Sequence, residues 1–266
     1  MAIHPAQPQT IGGVLDTTFE LYKASVGRVW ILCLIGAIAG ALPSIYMVTQ
    51  GGIITDPLAA FGRGSSPGYW LANLVAIILS LWSMGALYLK INAIGDDAGM
   101  GLGEALQASL RKTPLLFLMA ILFGVAVAIG LILLIVPGLI LMVSLILCFN
   151  LMMIEGRGPV AALIGSHGLV WGDWWRTAAI LTVGFIIVLV IYLAVGLVLG
   201  VVVPLLALGA SDPMLIGLIG GVLIGVLASL VLTPFYIAML IAVYWDLKLR
   251  KEGGDLAARV GALGTA

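Results

Sequence analysis

Charged side chains are scarce in this sequence. Asp, Glu, Lys and Arg make up 9% of its 266 residues, against roughly 25% in a typical soluble domain. Twelve cations and twelve anions leave no net charge at pH 7, and no cluster of Lys and Arg is present to neutralise phosphates. These two deficits exclude a water-soluble fold and exclude nucleic acid as a partner.

Histidine and cysteine are also rare. The two histidines, His4 and His167, and the two cysteines, Cys33 and Cys148, do not follow any metal-ligand spacing, so we expect no metal site and no cofactor. The sequence has no phosphate-binding glycine loop, nucleophile elbow or zinc motif. We therefore expect a protein that is not an enzyme, with an intramembrane enzyme as the third-ranked alternative.

Apolar residues fill long uninterrupted runs. They make up 62% of the chain, whose mean hydropathy is +1.23. A helix needs about 20 apolar residues to cross a bilayer, because every backbone polar group must bond inside the segment. The charge-free runs predict an all-α polytopic membrane protein with six transmembrane helices, near 29–48, 70–89, 115–136, 139–154, 177–206 and 214–245. One six-span domain, 11–256, then lies between a disordered lead at 1–10 and a flexible tail at 257–266.

Prolines decide how two long runs are divided. As one helix, the charge-free stretch 115–154 would be about 60 Å long, twice the thickness of the hydrocarbon core. We therefore place a turn at Pro137 and Gly138, since proline cannot continue the helix and glycine accepts a reversal. Pro234 divides its run too unequally for two crossings, and we interpret it as a kink.

Basic residues lie almost entirely on one side of the predicted spans. Eleven of the twelve Lys and Arg are on that side, and the exception is Arg63. The positive-inside rule then places both termini in the cytoplasm. Tryptophans near span ends are typical of interfacial anchors, and Trp171, Trp174 and Trp175 are the candidate lipid-interface anchors.

Three segments that precede the predicted helical hairpins carry an apolar stripe at helical spacing. They are 11–22, 102–110 and 160–174. Helices of this kind lie in the membrane interface, so we expect about three amphipathic interfacial helices, with Pro114 ending the second. The layout suggests a threefold repeat of surface helix and hairpin, although basic loops alone would give a similar layout.

Glycines four residues apart recur within the spans. They are Gly36 and Gly40; Gly196 and Gly200; and Gly217, Gly221 and Gly225. This spacing makes a smooth groove that another helix can approach closely. Packing within the chain and a dimer interface are both consistent with it.

Four stretches carry a resemblance to a known family. They are 136–140, 155–159, 168–176 and 244–253, the last followed by Asp255 and Leu256. Over roughly residues 10–257 the chain resembles the six-span membrane domain fused to some bacterial glycerophosphodiester phosphodiesterases, and its stand-alone relatives. The resemblance implies a helical protein of the bacterial inner membrane. It does not imply phosphodiesterase activity, which belongs to a separate soluble domain.

Polar residues of these stretches cluster at the predicted cytoplasmic boundary. The candidate cluster consists of Glu155, Arg157, Asp173, Arg176, Asp246 and Arg250. We expect ion pairs among them to hold the surface helices to the bundle, and membrane lipids or a membrane protein to be the partners. The first hypothesis is a non-enzymatic protein that organises these partners at the inner leaflet.

The alternative hypothesis is a transporter or channel for an uncharged or amphipathic solute. Proton- or ion-coupled transport is disfavoured, because no Asp, Glu, Lys, Arg or His side chain falls inside the predicted spans. A lipid-sized cavity lined by Asn73, Ser80 or Asn150 would favour this alternative. A close-packed bundle centre would disfavour it.

Overall fold

The computed structural model describes residues 3–49, 66–208 and 213–263, which are helical apart from short connections. The helices are α1 (Ile11–Thr49), α2 (Pro67–Gly95), α3 (Leu102–Leu133), α4 (Ile135–Leu145), α5 (Cys148–Ile154), α6 (Pro159–Val170), α7 (Trp174–Ala207) and α8 (Pro213–Leu263). The predicted all-α fold class is confirmed. Arg63, the basic residue assigned to the opposite side, lies outside the described residues.

Six stretches of the described residues are long and apolar enough to cross a membrane, judged by length and composition. They are Ile11–Thr49, Pro67–Gly95, Leu102–Leu133, Ile135–Ile154, Trp174–Leu205 and Ile219–Lys251. The fourth stretch combines α4 and α5. Each of these stretches contains most of one predicted span, so the six-span architecture agrees with the sequence.

Polar caps begin two of the long helices. The Thr10 hydroxyl accepts a hydrogen bond from the Gly13 backbone N–H at 3.1 Å, before the first turn of α1. The Ser66 hydroxyl does the same for the Tyr69 N–H at 3.2 Å, with Pro67 in the first helical position. Each cap satisfies a donor that has no partner within the helix, which sets the point where the helix starts.

Two of the three expected surface helices continue directly into spans. α1 starts at Ile11 and runs to Thr49, and α3 runs from Leu102 to Leu133 through Pro114. Pro114 does not end α3, because one missing hydrogen bond is tolerated in an apolar helix whose other backbone groups remain bonded. Only α6 is a separate short helix, and this difference argues against a threefold repeat of separate surface helices.

The turn between the third and fourth spans lies earlier than predicted. Leu134 is the extended residue, with φ −167° and ψ 149°, and α4 already begins at Ile135. Pro137 falls in the first turn of α4, where its missing N–H would have had no partner anyway. Gly130 and Gly138 instead let α3 and α4 pack closely. A Cβ built on Gly130 would lie 2.9 Å from the Gly138 Cα.

The described parts of the two end segments, residues 3–10 and 257–263, differ from the expectation of a disordered lead and a flexible tail. The Ile3 N–H donates to the Gly95 carbonyl at 2.8 Å, and the Gln9 N–H donates to Asp246 at 2.7 Å, so residues 3–10 pack against the bundle. These contacts bridge residues far apart in sequence, so local composition did not predict them. At the other end, helix α8 continues to Leu263, beyond the start of the expected flexible tail.

The core lies towards the end of the bundle where residues 3–10 meet α8. There α8 is buried on nearly all sides from Phe235 to Leu247, with Tyr236 as the exposed exception. α7 is the opposite case, because none of the residues in its most apolar stretch is buried. Leu197 and Val201 of α7 are 74% and 57% exposed. Thus α8 is the central helix at this end, and the most apolar stretch of α7 lies on the outside of the bundle.

Candidate functional site at the terminal face

The predicted polar residues lie at one end of the bundle, which we name the terminal face. It comprises residues 3–10, 92–101, 155–158, 171–176 and 244–251. Hydrogen bonds from the end of α8 join these segments to one another. The terminal face is therefore one connected polar layer on the apolar bundle.

Asp246 is the centre of the first polar network. Its side chain is 1% exposed, and its Oδ2 accepts hydrogen bonds from Arg176 at 2.8 Å and Arg250 at 3.0 Å. Its Oδ1 accepts from the Gln9 backbone N–H, while Arg176 and Arg250 both donate to the Gln9 carbonyl. The network joins α7, α8 and the N-terminal segment. The buried Arg176 Nε has no partner among the described residues.

Glu155 is the centre of the second network. Its carboxylate accepts hydrogen bonds from Tyr244 and Arg157, both at 2.6 Å, and from Lys248 at 3.0 Å. Burial by itself would raise the pKa of Glu155, but the three donors outweigh it and hold the pKa below its ordinary value of 4.5. Glu155 therefore remains a carboxylate at neutral pH and links the loop before α6 to α8.

The structure separates the six predicted cluster residues into three groups. Arg176, Asp246 and Arg250 form one network, and Glu155 with Arg157 belongs to the other. Asp173 joins neither, since no ion pair of its side chain lies within the described part of the chain. Its backbone carbonyl instead accepts the Thr177 N–H at the start of α7.

Trp245 anchors a third set of contacts, which the sequence interpretation missed. Its indole N–H donates to Asn92 at 3.2 Å, and the His4 ring stacks on it at 4.4 Å between centroids. His4 Nδ1 also lies 2.7 Å from Asp96 Oδ1. The Trp245 ring fits beside α2 because Gly95 has no Cβ. A Cβ at that position would lie 2.2 Å from the ring.

One sequence signal for the missed partners was available. Tyr244 and Lys248, like Asp246 and Arg250, are four residues apart, a spacing that brings side chains together on one helical face. Long-range partners such as Gln9 and His4 left no comparable signal. Their contacts depend on where the N-terminal segment crosses the bundle.

Helix α6 places two different rows of side chains on opposite sides. Ala162, Ser166 and Val170, four residues apart, are fully buried, and the Ser166 hydroxyl donates to the Ser144 carbonyl at 2.8 Å. On the other side, Val160 and Ile164 are 59% and 69% exposed. We name Val160, Ile164 and the following Trp171 and Trp175 the apolar row.

The candidate lipid anchors differ in exposure. Trp171 is 58% exposed and Trp175 is 83% exposed, whereas Trp174 is partly buried and its N–H donates to the Ile140 carbonyl at 3.3 Å. Trp174 therefore packs α7 against α4. Trp171 and Trp175 present large amphipathic rings outside the protein, as interfacial tryptophans do.

A cavity at the terminal face lies beside α6. It has a volume of about 270 Å³ and is lined by Leu151, Glu155, Arg157, Gly165, Gly168, Leu169, Lys248 and Lys251. We name it the cationic cavity, because three of these side chains are cations and one is an anion. Lys251 donates to the Trp171 carbonyl at 2.8 Å, which fixes its ammonium group near this site.

A larger cavity lies between the span-like parts of α1, α2 and α8. This membrane cavity has a volume of about 690 Å³, and its lining includes Ser44, Ser80 and Ser229. Gly40, Gly221 and Gly225 also line it, and a Cβ on any of the three would meet no atom within 4 Å. At these three positions glycine therefore leaves open space, whereas a Cβ on Gly36, which also lines the cavity, would lie 3.2 Å from the Ser83 hydroxyl.

The other two predicted cavity residues bond elsewhere. The Asn73 amide donates to the Tyr69 carbonyl at 2.9 Å, within α2. The buried Asn150 amide donates to the Leu240 carbonyl of α8 at 3.1 Å. Neither lines the membrane cavity, so only Ser80 of the three meets the sequence-based expectation.

Comparisons with known proteins give one finding. No curated protein and no solved structure matches the chain. A family described as a domain of unknown function, DUF7847, matches residues 67–247, which is more than half of the chain. This match covers α2 to α7 and the buried part of α8. It includes Asp246 and Glu155, the centres of the two polar networks, but not Lys248, Arg250 or the N-terminal segment. The chain therefore belongs to the family of the domain of unknown function DUF7847.

Proposed function

We propose that this protein is a non-enzymatic integral membrane protein that orders lipids at the inner leaflet of a bacterial cytoplasmic membrane. The apolar row of α6 is the observation that carries the proposal. Val160 and Ile164 are exposed on a helix of 12 residues, which is too short to span a bilayer. Its buried row and the Ser166 hydrogen bond hold the helix in place, so the exposed row faces outwards in a fixed direction.

Lipid acyl chains suit this row better than water does. An exposed Ile or Val is stabilised by transfer into an apolar environment, and the neighbouring Trp171 and Trp175 favour the headgroup boundary. Basic side chains beside the row favour an anionic leaflet. The bacterial inner membrane and the cytoplasmic position of this face are part of the proposal, and they agree with the resemblance to the phosphodiesterase membrane domain.

Depth-dependent quenching tests the proposal. Cys33 and Cys148 are replaced by alanine, and a single cysteine is introduced at Ile164 or, as the matched control, at Gly99 in the exposed loop before α3. Each protein carries an environment-sensitive fluorophore and is reconstituted with lipids brominated on their acyl chains. We expect strong quenching at position 164 and weak quenching at position 99. Equal quenching at the two positions would contradict the proposal.

The membrane cavity favours a second candidate function, the passage or binding of an uncharged amphipathic molecule. Its volume of about 690 Å³ is that of a small-molecule site, and it combines apolar walls with a few hydroxyl groups.

Occupancy of the membrane cavity is tested with an uncharged fluorescent probe that carries an acyl chain, added to the detergent-purified protein. Gly225→Leu places a side chain in the cavity, and Gly196→Leu is the control in open space on α7. Loss of probe binding in the first variant alone supports this candidate, and equal binding in both variants contradicts it.

A further inference from the structure

We propose that the cationic cavity binds the phosphate headgroup of an anionic phospholipid. This inference rests on the proposed function and adds the lipid class and the site. The phospholipid keeps its phosphate among the side chains of the cavity and lays its acyl chains along the apolar row.

Charge is the first argument for a phosphate. Arg157, Lys248 and Lys251 line the cavity together with one carboxylate, that of Glu155. Glu155 accepts hydrogen bonds from Arg157 and Lys248, whereas the Lys251 ammonium donates to a neutral carbonyl, that of Trp171. The lining side chains thus carry two more positive charges than negative ones. Guanidinium and ammonium groups are the usual protein ligands of phosphate, and basic pockets at the cytoplasmic side of helical bundles bind anionic headgroups.

Shape is the second argument, and it selects a lipid over a free phosphate. Val160, Ile164 and Gly168 are each four residues apart, so they lie along one side of α6. Gly168 belongs to the cavity wall, and a Cβ built on it would meet no atom within 4 Å. One helical row therefore passes from exposed apolar side chains to the mouth of a cationic cavity. A molecule with an anionic head and apolar tails matches both parts.

Glycine also brings Arg157 over the helix. A Cβ on Gly165 would lie 2.7 Å from Arg157 Nη1, so the guanidinium rests directly on the backbone of α6. Its Nε donates to Glu155, which fixes the plane of the group. The arginine is thus pre-oriented at the cavity, and less side-chain freedom is lost when it binds an anion.

The test uses the full chain purified in dodecyl maltoside. Binding of dioctanoyl phosphatidylglycerol is measured by native mass spectrometry and compared with dioctanoyl phosphatidylcholine and with inorganic phosphate. We expect tighter binding of phosphatidylglycerol than of phosphatidylcholine. Lys251→Gln should weaken phosphatidylglycerol binding about fivefold, since one cation near an anionic lipid contributes about that factor.

Gly168→Trp is the second variant, because it blocks the cavity and leaves every charge in place. We expect it to abolish the preference for phosphatidylglycerol. Arg111→Gln and Gly103→Trp are the matched controls, since both residues are exposed on α3 and neither lines the cavity. A thermal melting curve for each variant confirms that it folds.

Three results would overturn the inference. They are equal binding of the two lipids by the unmodified chain, an unchanged lipid preference in both Lys251→Gln and Gly168→Trp, and displacement of phosphatidylglycerol by an equal concentration of inorganic phosphate. The quenching experiment at Ile164 separates this failure from that of the proposed function. Strong quenching at position 164 without a preference for phosphatidylglycerol would support the proposed function and contradict only the phosphate site in the cationic cavity.

Discussion

Asp246 and Asp173 differ in what surrounds their carboxylates. Asp246 is 1% exposed and receives hydrogen bonds from Arg176, Arg250 and the Gln9 backbone. Asp173 lies at the start of α7 and has no ion pair within the described residues. A buried carboxylate is tolerable only when it is paired, and its removal leaves partly buried cations without a counter-charge. The two residues therefore form a natural pair for comparison.

Replacing Asp246 should strongly destabilise the protein. We expect Asp246→Asn to lower the free energy of unfolding by about 3 kcal/mol, because Arg176 and Arg250 lose their shared anion. Asp173→Asn, the control, should change it by less than about 0.5 kcal/mol. Thermal unfolding of the detergent-purified variants measures the difference. Equal stability of the two variants would show that the Asp246 network does not hold α7 and the N-terminal segment to α8.

Glu155 makes stability depend on pH in the acidic range. Its pKa is lowered in the folded protein, so its stabilising contribution is fully present above the pKa of the unfolded chain and is lost as pH falls through the folded pKa. We expect the melting temperature of the unmodified chain to fall between neutral pH and about pH 3 more steeply than that of Glu155→Gln. The difference between the two curves isolates Glu155 from the other carboxylates. A constant difference across this range would contradict the role of the three donors.

At the scale of helices, α2 and α8 approach each other through Gly95 and Trp245. A Cβ on Gly95 would lie 2.2 Å from the end of the Trp245 ring, which is itself 2% exposed. The ring cannot move away easily, because His4 stacks on it and its N–H bonds to Asn92. Glycine at this position sets the distance between the two helices.

Gly95→Ala should therefore be destabilising although alanine favours helices. We expect a loss of about 1–3 kcal/mol from overpacking. Gly103→Ala is the control in helix α3, where a Cβ meets no atom within 4 Å, and it should be neutral or slightly stabilising. Melting temperatures of the two variants provide the measurement. If Gly95→Ala were as stable as the control, Trp245 would have to repack at little cost.

For the whole molecule, the central question is which side of the membrane the terminal face occupies. The face includes the N-terminal segment 3–10 and the end of the buried part of α8. Eleven of the twelve Lys and Arg belong to the predicted cytoplasmic side. The positive-inside rule predicts that it faces the cytoplasm. The uneven packing agrees with a role at this face, since the buried core lies near it and the most apolar stretch of α7 has no buried residue.

Reporter fusions test this orientation. A fluorescent protein and an alkaline phosphatase are fused in turn after residue 100 and after residue 266. We expect fluorescence and no phosphatase activity at both positions, because an even number of crossings returns the chain to the same side. Activity of the phosphatase at one position and fluorescence at the other would contradict the six-span topology.

Much of the membrane architecture followed from the sequence. The apolar runs and the scarcity of charge placed six spans, because burial in lipid requires long helices whose backbones are bonded internally. Helix boundaries were less accurate. The sequence pattern predicts breaks at Pro114 and Pro137, but a proline within a long apolar helix or in a first turn costs few hydrogen bonds.

The polar site was predicted in part. Glu155, Arg157, Arg176, Asp246 and Arg250 were named from the sequence because charges are rare and these cluster at span ends. Their division into two networks, and the exclusion of Asp173, required three-dimensional distances. The roles of Gln9 and His4 also required them, since both residues belong to a segment whose composition indicated disorder.

The sequence by itself determined that this chain is a membrane protein, because the free energy of transfer into lipid depends on composition and on the length of apolar runs, which are local properties. Only the tertiary structure decided which charges pair, which glycines allow contact and which leave cavities. Those outcomes depend on the approach of groups separated by up to 241 residues, such as the Gln9 backbone carbonyl and the Arg250 side chain. Local patterns carry no information on such distances, whereas the packing of α8 against the rest of the bundle fixes them.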